Sequence, residues 1–447
     1  MNLGIDELRN YLEEKQYTKI KSFFIEMHTA DIAELMEELT VRESLLVYRL
    51  IPKDKAAEVF PLMDVDRQSE LTGLVSEEEL KHLIEEMYFD DMIDLIEELP
   101  ANVVKRILKN SSNQQRTLIN QFLNYPESSA GSLMTIEFVS LKKEMTVVEA
   151  MKRIRRTGID KETIYTCYVT DKSKKLYGIV SLKNLVLSEE DQLVEEIMNE
   201  EFISVQTHED QEVIAELFKK YDFLSIPVVD QEMRIVGIIT IDDIVDVIEE
   251  ETTEDFQRMA AIEPTDDEYM SMSAYQLARK RIIWLIALMF SATISQLITD
   301  NYYLLTAQFT FLVGVMPMLM STSGNAGAQS STLIIRGLTL GDIEYRDVFK
   351  VVWKEFRVGI IMGIILGILN FLRIAIVSKN FLLGMIVGFT LIGTTVMSAL
   401  MGGLLPIVAK KAKLDPAIMA SPLITTITDA TTLLIFFSIA NYVLNRF

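Results

Sequence analysis

The sequence predicts a multidomain membrane protein: an all-α superhelical N-terminal domain, a paired α/β repeat, a connecting helix and an α-helical transmembrane domain of five helices. Three observations predict this class. Every apolar stretch long enough to span a bilayer follows Arg281, and two similar segments repeat before that point. Charge is also divided unevenly, with 58 acidic and 32 basic residues up to Arg281, and 7 acidic and 11 basic residues after it. An acidic, water-soluble N-terminal part is therefore joined to a hydrophobic C-terminal part.

The N-terminal domain, residues 1–130, is predicted to be helical. From Ile32 onward, apolar residues recur at the +3, +4 and +7 spacing of one helix face. The segment Asp31–Leu39 is echoed about sixty positions later by Asp91–Leu99, and repeated short amphipathic helices predict a superhelix. Asp90 and Asp94 fall one turn apart on one helix face, a pairing that by itself is typical of a solvated surface.

The next two blocks, residues 131–196 and 197–250, form a tandem repeat in which each copy runs strand, helix, strand, strand, helix. Tyr177–Val186 of the first copy resembles Val236–Val245 of the second. Both segments contain a hydroxyl residue followed three positions later by an amide or an acid. These pairs are Ser181 with Asn184 and Thr240 with Asp243. Helix capping explains the pattern, since a Ser or Thr at a helix start satisfies free backbone N–H groups.

A connecting helix, residues 251–281, leads toward the first predicted span. It continues the acidic run Asp242–Phe256. Packed against the acidic helical domain or the membrane face, such a helix would repel its surroundings unless cations lay between them.

The transmembrane domain, residues 282–447, contains five apolar stretches near the roughly 20 residues that a spanning helix needs. They are Ile282–Thr299, Phe309–Ile335, Val358–Val377, Phe381–Val408 and Ile418–Leu444. If all five cross, most flanking cations lie on one side, and Arg373, Lys379 and Arg446 lie on the other. The positive-inside rule then places the N-terminus in the cytosol and the C-terminus outside. Met1–Lys21 has no apolar signal-peptide core, which favours the same orientation.

Polar residues inside these stretches indicate an ion pathway. Asp429 lies near the middle of the last stretch, among threonines that include Thr425 and Thr428. A charged side chain at that depth costs about 2.5–3.5 kcal/mol and is usually functional. Asn325 lies in a polar run, Ser321–Thr332, that is too polar to face lipid. The alternatives are an aspartate that only hydrogen-bonds a neighbouring helix and a packing seam of small residues.

The available ligands favour a hard cation over other partners. Mg²⁺ keeps several waters and uses one or two carboxylates, which suits a single Asp429 with hydroxyls and an amide nearby. The lone cysteine, Cys167, and the three histidines all precede the membrane part. Proton relay by Asp429 stays open as an alternative. The excess of acidic residues argues against nucleic-acid binding, and the lack of a phosphate-binding loop argues against ATP hydrolysis. We therefore expect that the protein is not an enzyme.

The α/β repeat resembles a pair of CBS domains, because each copy has the hydroxyl–x–x–Asn/Asp ending. That resemblance implies that ATP or another adenine nucleotide contacts Ser181, Asn184, Thr240 and Asp243. The order of domains, together with the segments Gly324–Arg336 and Asp415–Asp429, resembles the MgtE family of magnesium channels and transporters along essentially the whole chain.

The family resemblance implies a homodimer in the cytoplasmic (inner) membrane, with a Mg²⁺-selective pore lined mainly by the second and fifth spans. Asp429 matches the ion-selecting aspartate and Asn325 the asparagine of the pore motif, with Thr425 and Thr428 beside them. It also implies that cytosolic Mg²⁺ closes the pore by binding acidic residues. The matching positions are Asp90, Asp94, Glu212, Asp222, Asp243, Asp246, Glu254, Asp255 and Asp415. The alternatives are an ion-coupled secondary transporter and a membrane-anchored CBS nucleotide sensor.

Overall fold

The structure is a computed structural model of the chain, and it describes residues 4–265, 269–270, 272–419 and 421–444. The predicted external cation Arg446 lies outside the described residues. The chain divides into two compact units, Met1–Ile248 and Glu249–Phe447.

The first unit begins with ten helices of seven to ten residues each. They are α1 (Ile5–Glu13), α2 (Tyr17–Glu26), α3 (Thr29–Glu37), α4 (Val41–Leu50), α5 (Lys53–Val59), α6 (Val65–Leu74), α7 (Glu77–Glu86), α8 (Phe89–Glu98), α9 (Ala101–Asn110) and α10 (Asn113–Phe122). Capping boxes at Thr40, Ser76 and Ser112 fix the starts of α4, α7 and α10. Because α3 packs on α5, α5 on α7 and α7 on α9, the helices form the predicted superhelix.

The same unit continues with the α/β repeat, whose last helix extends past Ile248 into the second unit. Its elements are α11 (Ala130–Leu133), β1 (Phe138–Leu141), α12 (Val147–Thr157), β2 (Thr163–Thr170), β3 (Leu176–Ser181), α13 (Leu182–Leu187), α14 (Val194–Ile197), β4 (Val205–Gln206), α15 (Gln211–Tyr221), β5 (Ser225–Val229), β6 (Ile235–Thr240) and α16 (Ile241–Met259). In each copy the first strand pairs parallel with the second, and the second pairs antiparallel with the third. This is the strand and helix order that the sequence predicts.

The two copies are joined by buried and bridging contacts. The Tyr168 hydroxyl of the first copy lies 2.9 Å from the Ser225 hydroxyl of the second, and a β-bridge links Lys175 to Arg234. Core residues of the superhelix, such as Phe122, pack in the same hydrophobic cluster as Phe218 of the second copy. The helical domain and the repeat are therefore one compact unit.

The second unit contains the apolar helices. They are α17 (Ala274–Asn301), the short α18 (Tyr303–Gln308), α19 (Met316–Thr339), α20 (Val348–Val377), α21 (Phe381–Lys411) and α22 (Ser421–Leu444). Among the described residues, four helical segments are long and apolar enough to cross a bilayer: Ala274–Asn301, Val348–Val377, Phe381–Lys411 and Pro416–Leu444. The prediction of five such spans is therefore not reproduced. Phe309–Ile335 is divided between a 3₁₀ turn and α19, whose polar residues Ser321–Thr332 lower its hydropathy.

Close backbone packing joins α20 to α21. A Cβ atom added at Gly359 would lie 2.8 Å from the Val396 Cα atom, and one at Gly363 would lie 2.9 Å from the Ile392 Cα atom. Hydrogens in place of side chains thus let the two backbones approach at both points. Helix α17 differs, because it has no buried residue within this unit.

We expect Gly402→Ala to destabilise the second unit. A Cβ atom there would lie 2.2 Å from the Gly327 carbonyl oxygen and 2.9 Å from the Ser330 Cβ atom. Helices α19 and α21 would have to separate, at a cost of about 1–3 kcal/mol. Thermal unfolding in detergent measures the effect, with Gly393→Ala on the same helix as the control, since its Cβ atom meets only an ordinary contact at 3.4 Å. Equal unfolding temperatures for the two variants would contradict this packing.

Candidate ion pathway and acidic cluster

The polar run of α19 packs directly against α22. A Cβ atom at Gly324 would lie 3.0 Å from Thr425 Cγ2, and one at Gly327 would lie 2.7 Å from Ile424 Cγ2 and 3.2 Å from Thr428 Cγ2. The two glycines therefore let α22 approach the backbone of α19 on one face. The small-residue packing expected as an alternative is present at both positions.

Buried hydroxyls complete this seam with hydrogen bonds between helices. The Thr432 hydroxyl donates to Ser323 Oγ at 2.6 Å, and Ser323 Oγ lies 2.5 Å from Ser398 Oγ of α21. The Ser331 hydroxyl donates to the Met419 carbonyl oxygen at 2.7 Å. These groups satisfy one another between helices, so they join α19, α21 and α22 rather than face a pathway.

Asp429 is placed differently from these hydroxyls. Its side chain is partly exposed, and within the described part of the chain it is recorded with no hydrogen bond or ion pair. The structure thus does not show the alternative in which Asp429 merely hydrogen-bonds a neighbouring helix. Asn325 on α19 is also exposed, and Thr425 is partly exposed. Thr428, by contrast, is fully buried and its hydroxyl donates to the Thr425 carbonyl oxygen at 3.0 Å.

Five carboxylates of the first unit gather where the superhelix meets the repeat. This acidic cluster comprises Asp90, Asp91, Glu162, Asp242 and Asp243. Burial, followed by repulsion from Asp243, raises the pKa of Asp90 well above its ordinary value. For the same two reasons the pKa of Asp91 rises to about 6. Burial is also the main cause that raises the pKa of Asp243 to about 6 and that of Glu162 to about 7.

Two helix starts explain why these like charges are tolerated together. Asp90 and Asp91 lie in the first turn of α8, and Asp242 and Asp243 lie in the first turn of α16. The N-terminal end of a helix favours negative charge. The Thr240 hydroxyl adds a hydrogen bond to Asp243 Oδ2 at 2.8 Å. Asp90 is 8% exposed, and its Oδ1 atom is buried without a hydrogen-bond partner.

The structure brings together some predicted regulatory residues and separates others. Asp246 adds to the repulsion on Asp243, whereas Asp94, Glu212 and Asp222 are exposed. Sequence reasoning missed Glu162, which stands just before β2 in no recognisable motif, and its Oε2 atom is also buried without a partner. In the described ranges, no three His, Cys, Asp or Glu side chains are already arranged to hold a metal ion.

We expect the first unit to lose stability as pH rises through about 6 to 7. A carboxyl whose pKa is raised in the folded state stabilises the fold when protonated, and that contribution disappears as it ionises. The loss begins above the ordinary pKa values of 3.8 and 4.5 and is complete above the raised values, about 6 for Asp91 and Asp243 and about 7 for Glu162. Hydrogen exchange of α8 in the full chain should therefore be faster at pH 8 than at pH 5.5, after correction for intrinsic rates.

A matched variant isolates this effect. Asp91→Asn with Asp243→Asn removes two of the charges and should flatten the pH dependence. Asp171→Asn is the control, because burial is not what governs that partly exposed carboxyl: a hydrogen bond from Ser173 is the largest cause that lowers its pKa. An unchanged pH dependence of hydrogen exchange in the double variant would show that the acidic cluster does not cause it.

Three of the predicted metal-binding positions lie together in the second unit. Arg258, near the end of α16, makes ion pairs with Glu254 on its own helix and with Asp415 at the start of the last span. Met259 packs beside Ile335 and Ala417. Burial and repulsion from Asp415 raise the pKa of Asp255 to about 6. A side-chain cation thus already bridges residues that were expected to bind magnesium.

The residues expected to contact a nucleotide lie at two helix starts. Ser181 Oγ accepts a hydrogen bond from the Asn184 backbone N–H at 3.1 Å, and Thr240 bonds to Asp243 as described above. The capping interpretation is realised at Ser181, whereas the Thr240 hydroxyl donates to the Asp243 carboxylate. The cap at Ser181 leaves the exposed Asn184 side chain accessible to a ligand.

An acidic superhelix, a CBS pair and apolar helices with a polar seam define a multi-pass membrane transport protein with a large soluble domain. The family description "Divalent cation transporter" matches residues 316–439, "MgtE intracellular N domain" matches residues 27–128, and "CBS domain" matches residues 130–190 and 194–250. The chain belongs to the MgtE family. The prediction that it is not an enzyme is confirmed by membership in a transporter family.

Curated relatives resemble the chain along almost its full length. It is 34% identical over 441 residues to the magnesium transporter MgtE of Thermus thermophilus, covering 98% of each chain. It is 32% identical over 422 residues to the magnesium transporter MgtE of Bacillus subtilis, covering 92% of this chain and 93% of the relative.

One solved structure, the cytosolic domain of the Mg²⁺ channel MgtE in complex with ATP, is 35% identical, with a TM-score of 0.52. The match covers 55% of this chain and 100% of the chain in the solved structure.

Proposed function

We propose that this protein moves Mg²⁺ across the cytoplasmic membrane along a path beside α19 and α22. The observation that carries the proposal is Asp429, an intramembrane carboxylate that is partly exposed and has no recorded partner among the described residues. Such a group is stable only where it meets water or a cation. Exposed Asn325 adds an amide on the adjoining helix.

Magnesium is the cation that best fits these groups. It retains most of its water and is held by few carboxylates, so one aspartate with an amide and the partly exposed Thr425 suffices. Both full-length relatives are named as magnesium transporters. Thr428, buried in the helix contact, positions Thr425 in this scheme and does not itself meet the ion.

A homodimer is part of the proposal. Helix α17 buries no residue in its own unit, and a second copy would supply the missing contacts. Two-fold symmetry is the commonest arrangement of identical chains. In a dimer with the path on the axis, two Asp429 carboxylates would flank one ion.

The acidic cluster is proposed as the sensor of cytosolic Mg²⁺. The buried, unpartnered Asp90 Oδ1 and Glu162 Oε2 atoms are hard oxygen donors of the kind that Mg²⁺ prefers. A bound ion would remove the repulsion among these carboxylates and so favour the compact state, in which the protein is closed. It would shift the equilibrium by its difference in affinity for the two states. Asp94, Glu212, Asp222 and Asp246 would add weaker, more exposed contacts.

ATP or another adenine nucleotide is proposed as a second ligand of the CBS pair. The solved structure with ATP supports nucleotide binding. Beside the capped helix start at Ser181, the exposed Asn184 side chain would contact a ribose or phosphate. Its role would be to stabilise the pair, since binding to the folded form alone stabilises that form.

The deciding experiment is Mg²⁺ flux into liposomes containing the purified full chain, at low and high Mg²⁺ on the cytosolic side. We expect flux at low Mg²⁺ and strong inhibition at high Mg²⁺. Flux that requires a fixed number of protons or Na⁺ would favour a coupled transporter instead. Absence of flux under every condition would favour the membrane-anchored nucleotide sensor.

A further inference from the structure

A buried carboxylate on α20 has no part in the proposed pathway. Glu355 is 8% exposed and lies two turns into the helix that begins at Val348. Its recorded partner is neutral: the Ser330 hydroxyl of α19 donates to Glu355 Oε2 at 2.6 Å. Within the described part of the chain, no ion pair includes Glu355. A short hydrogen bond to a charged acceptor is among the stronger side-chain interactions.

Helix α21 holds this pair in place from a third side. A Cβ atom at Gly403 would lie 2.8 Å from Glu355 Cγ, and one at Gly402 would lie 2.9 Å from Ser330 Cβ. Two adjacent glycines therefore form a notch that leaves room for the glutamate and the serine and for nothing larger. The carboxylate is fixed by three helices at once.

The pair also borders a cavity of about 700 Å³ between α19 and α20. Gln329 and Ser330 line it from α19, and Lys350 and Lys354 line it from α20. Polar and charged walls allow water to enter this cavity. Asp342 and Asp347 line the cavity as well, and the Lys350 ammonium pairs with Asp347 at 2.6 Å.

The position of α19 decides the geometry of the pathway. One face of this helix meets Thr425 and Thr428 of α22 through Gly324 and Gly327. Ser330 lies one turn beyond Gly327 on the same helix, and a shift of α19 along α20 would move Asn325 relative to Asp429. The hydrogen bond from Ser330 thus links α20 to the helix that carries the polar run.

We propose that Glu355 is a positioning residue for ion selection: through Ser330 it fixes α19, and so Asn325, relative to Asp429. This inference rests on the proposed function. It assigns no contact between Glu355 and the transported ion. A polar group whose removal leaves its partner unsatisfied in a buried site disturbs that site well beyond its own contact.

The test is a double-mutant cycle in liposomes, with the ratio of Mg²⁺ to Ca²⁺ flux as the readout. Glu355→Ala and Ser330→Ala should each lower the ratio roughly threefold to tenfold, which is less than the full loss of a hydrogen bond to a charged group, because α21 and α22 also hold α19. The double variant should be no worse than the worse single variant, because both act through one bond. Glu355→Gln keeps an acceptor oxygen and should recover much of the ratio.

Lys354→Gln, on the same helix and the same cavity, is the control and should leave the ratio unchanged. Equal amounts of folded protein are compared, as judged by unfolding temperature in detergent. Independent effects of the two alanine variants, or a lower yield of folded protein with an unchanged ratio, would overturn the inference. Wild-type protein without Mg²⁺ flux would overturn the proposed function and this inference with it.

Discussion

Asp429→Ala is expected to abolish most Mg²⁺ flux while leaving the fold intact. The side chain is partly exposed and recorded without a partner in the described residues, so its removal leaves no buried group unsatisfied. A lost interaction between a charged group and its ligand is worth about 1.5–3 kcal/mol, which corresponds to roughly a tenfold to a hundredfold loss. In a dimer the ion would lose its interaction with two Asp429 carboxylates.

Flux of Mg²⁺ into liposomes measures this effect, beside the unfolding temperature in detergent. Asp429→Asn tests charge separately from size, and we expect it to lose nearly as much flux as the alanine variant. Ser438→Ala is the control, because Ser438 is exposed on the same helix and its hydroxyl donates to the Leu434 carbonyl oxygen of that helix. Flux indifferent to Asp429 would mean that the path lies elsewhere in the bundle.

Arg258→Gln is expected to make closure require more cytosolic Mg²⁺. The guanidinium joins Glu254 to Asp415, and so it fastens the end of α16 to the start of the last span without a metal. The side chains of Arg258, Glu254 and Asp415 are 33%, 32% and 23% exposed, so solvent weakens the pairs to about 1 kcal/mol. That value corresponds to a shift of roughly fivefold in the Mg²⁺ concentration that halves the flux.

The measurement is flux as a function of cytosolic Mg²⁺ for wild type, Arg258→Gln and Arg258→Lys. Lysine keeps one charge but not the two-sided fork of donors, so an intermediate value is expected. Arg279→Gln removes an exposed cation near the start of α17 and serves as the control. An unchanged or lower half-inhibiting concentration in Arg258→Gln would show that the ion pairs do not fasten the closed state.

Patterns with a regular period predicted the fold well. The spacing that begins at Ile32 gave the superhelix, and the two segments ending in Ser181–Val186 and Thr240–Val245 gave the tandem repeat in its observed strand order. The second span was the exception. The polar run Ser321–Thr332 lowers the mean hydropathy of α19 below that of a typical spanning helix. Its hydroxyls nevertheless bond to neighbouring helices and so need no water.

The candidate site was less predictable, because its members meet only through tertiary contacts. Asp429 could be identified, since a single charge in an apolar stretch is visible in the sequence itself. Glu162 could not, because its burial depends on how the superhelix lies against the repeat. The role of Arg258 could not be predicted for another reason. An acidic run suggests a bound metal ion, but here a single arginine pairs with Glu254 and Asp415.

The glycine-lined contact between α20 and α21 has a practical consequence. Because a side chain does not fit where the backbones touch at Gly359 and Gly363, sliding one helix along the other would bring a larger residue into that contact. This helix pair therefore provides a fixed coordinate frame within the membrane unit. Spin labels attached to its outer surface would serve as stationary landmarks, against which any displacement of α19 or α22 during the transport cycle becomes a measurable distance.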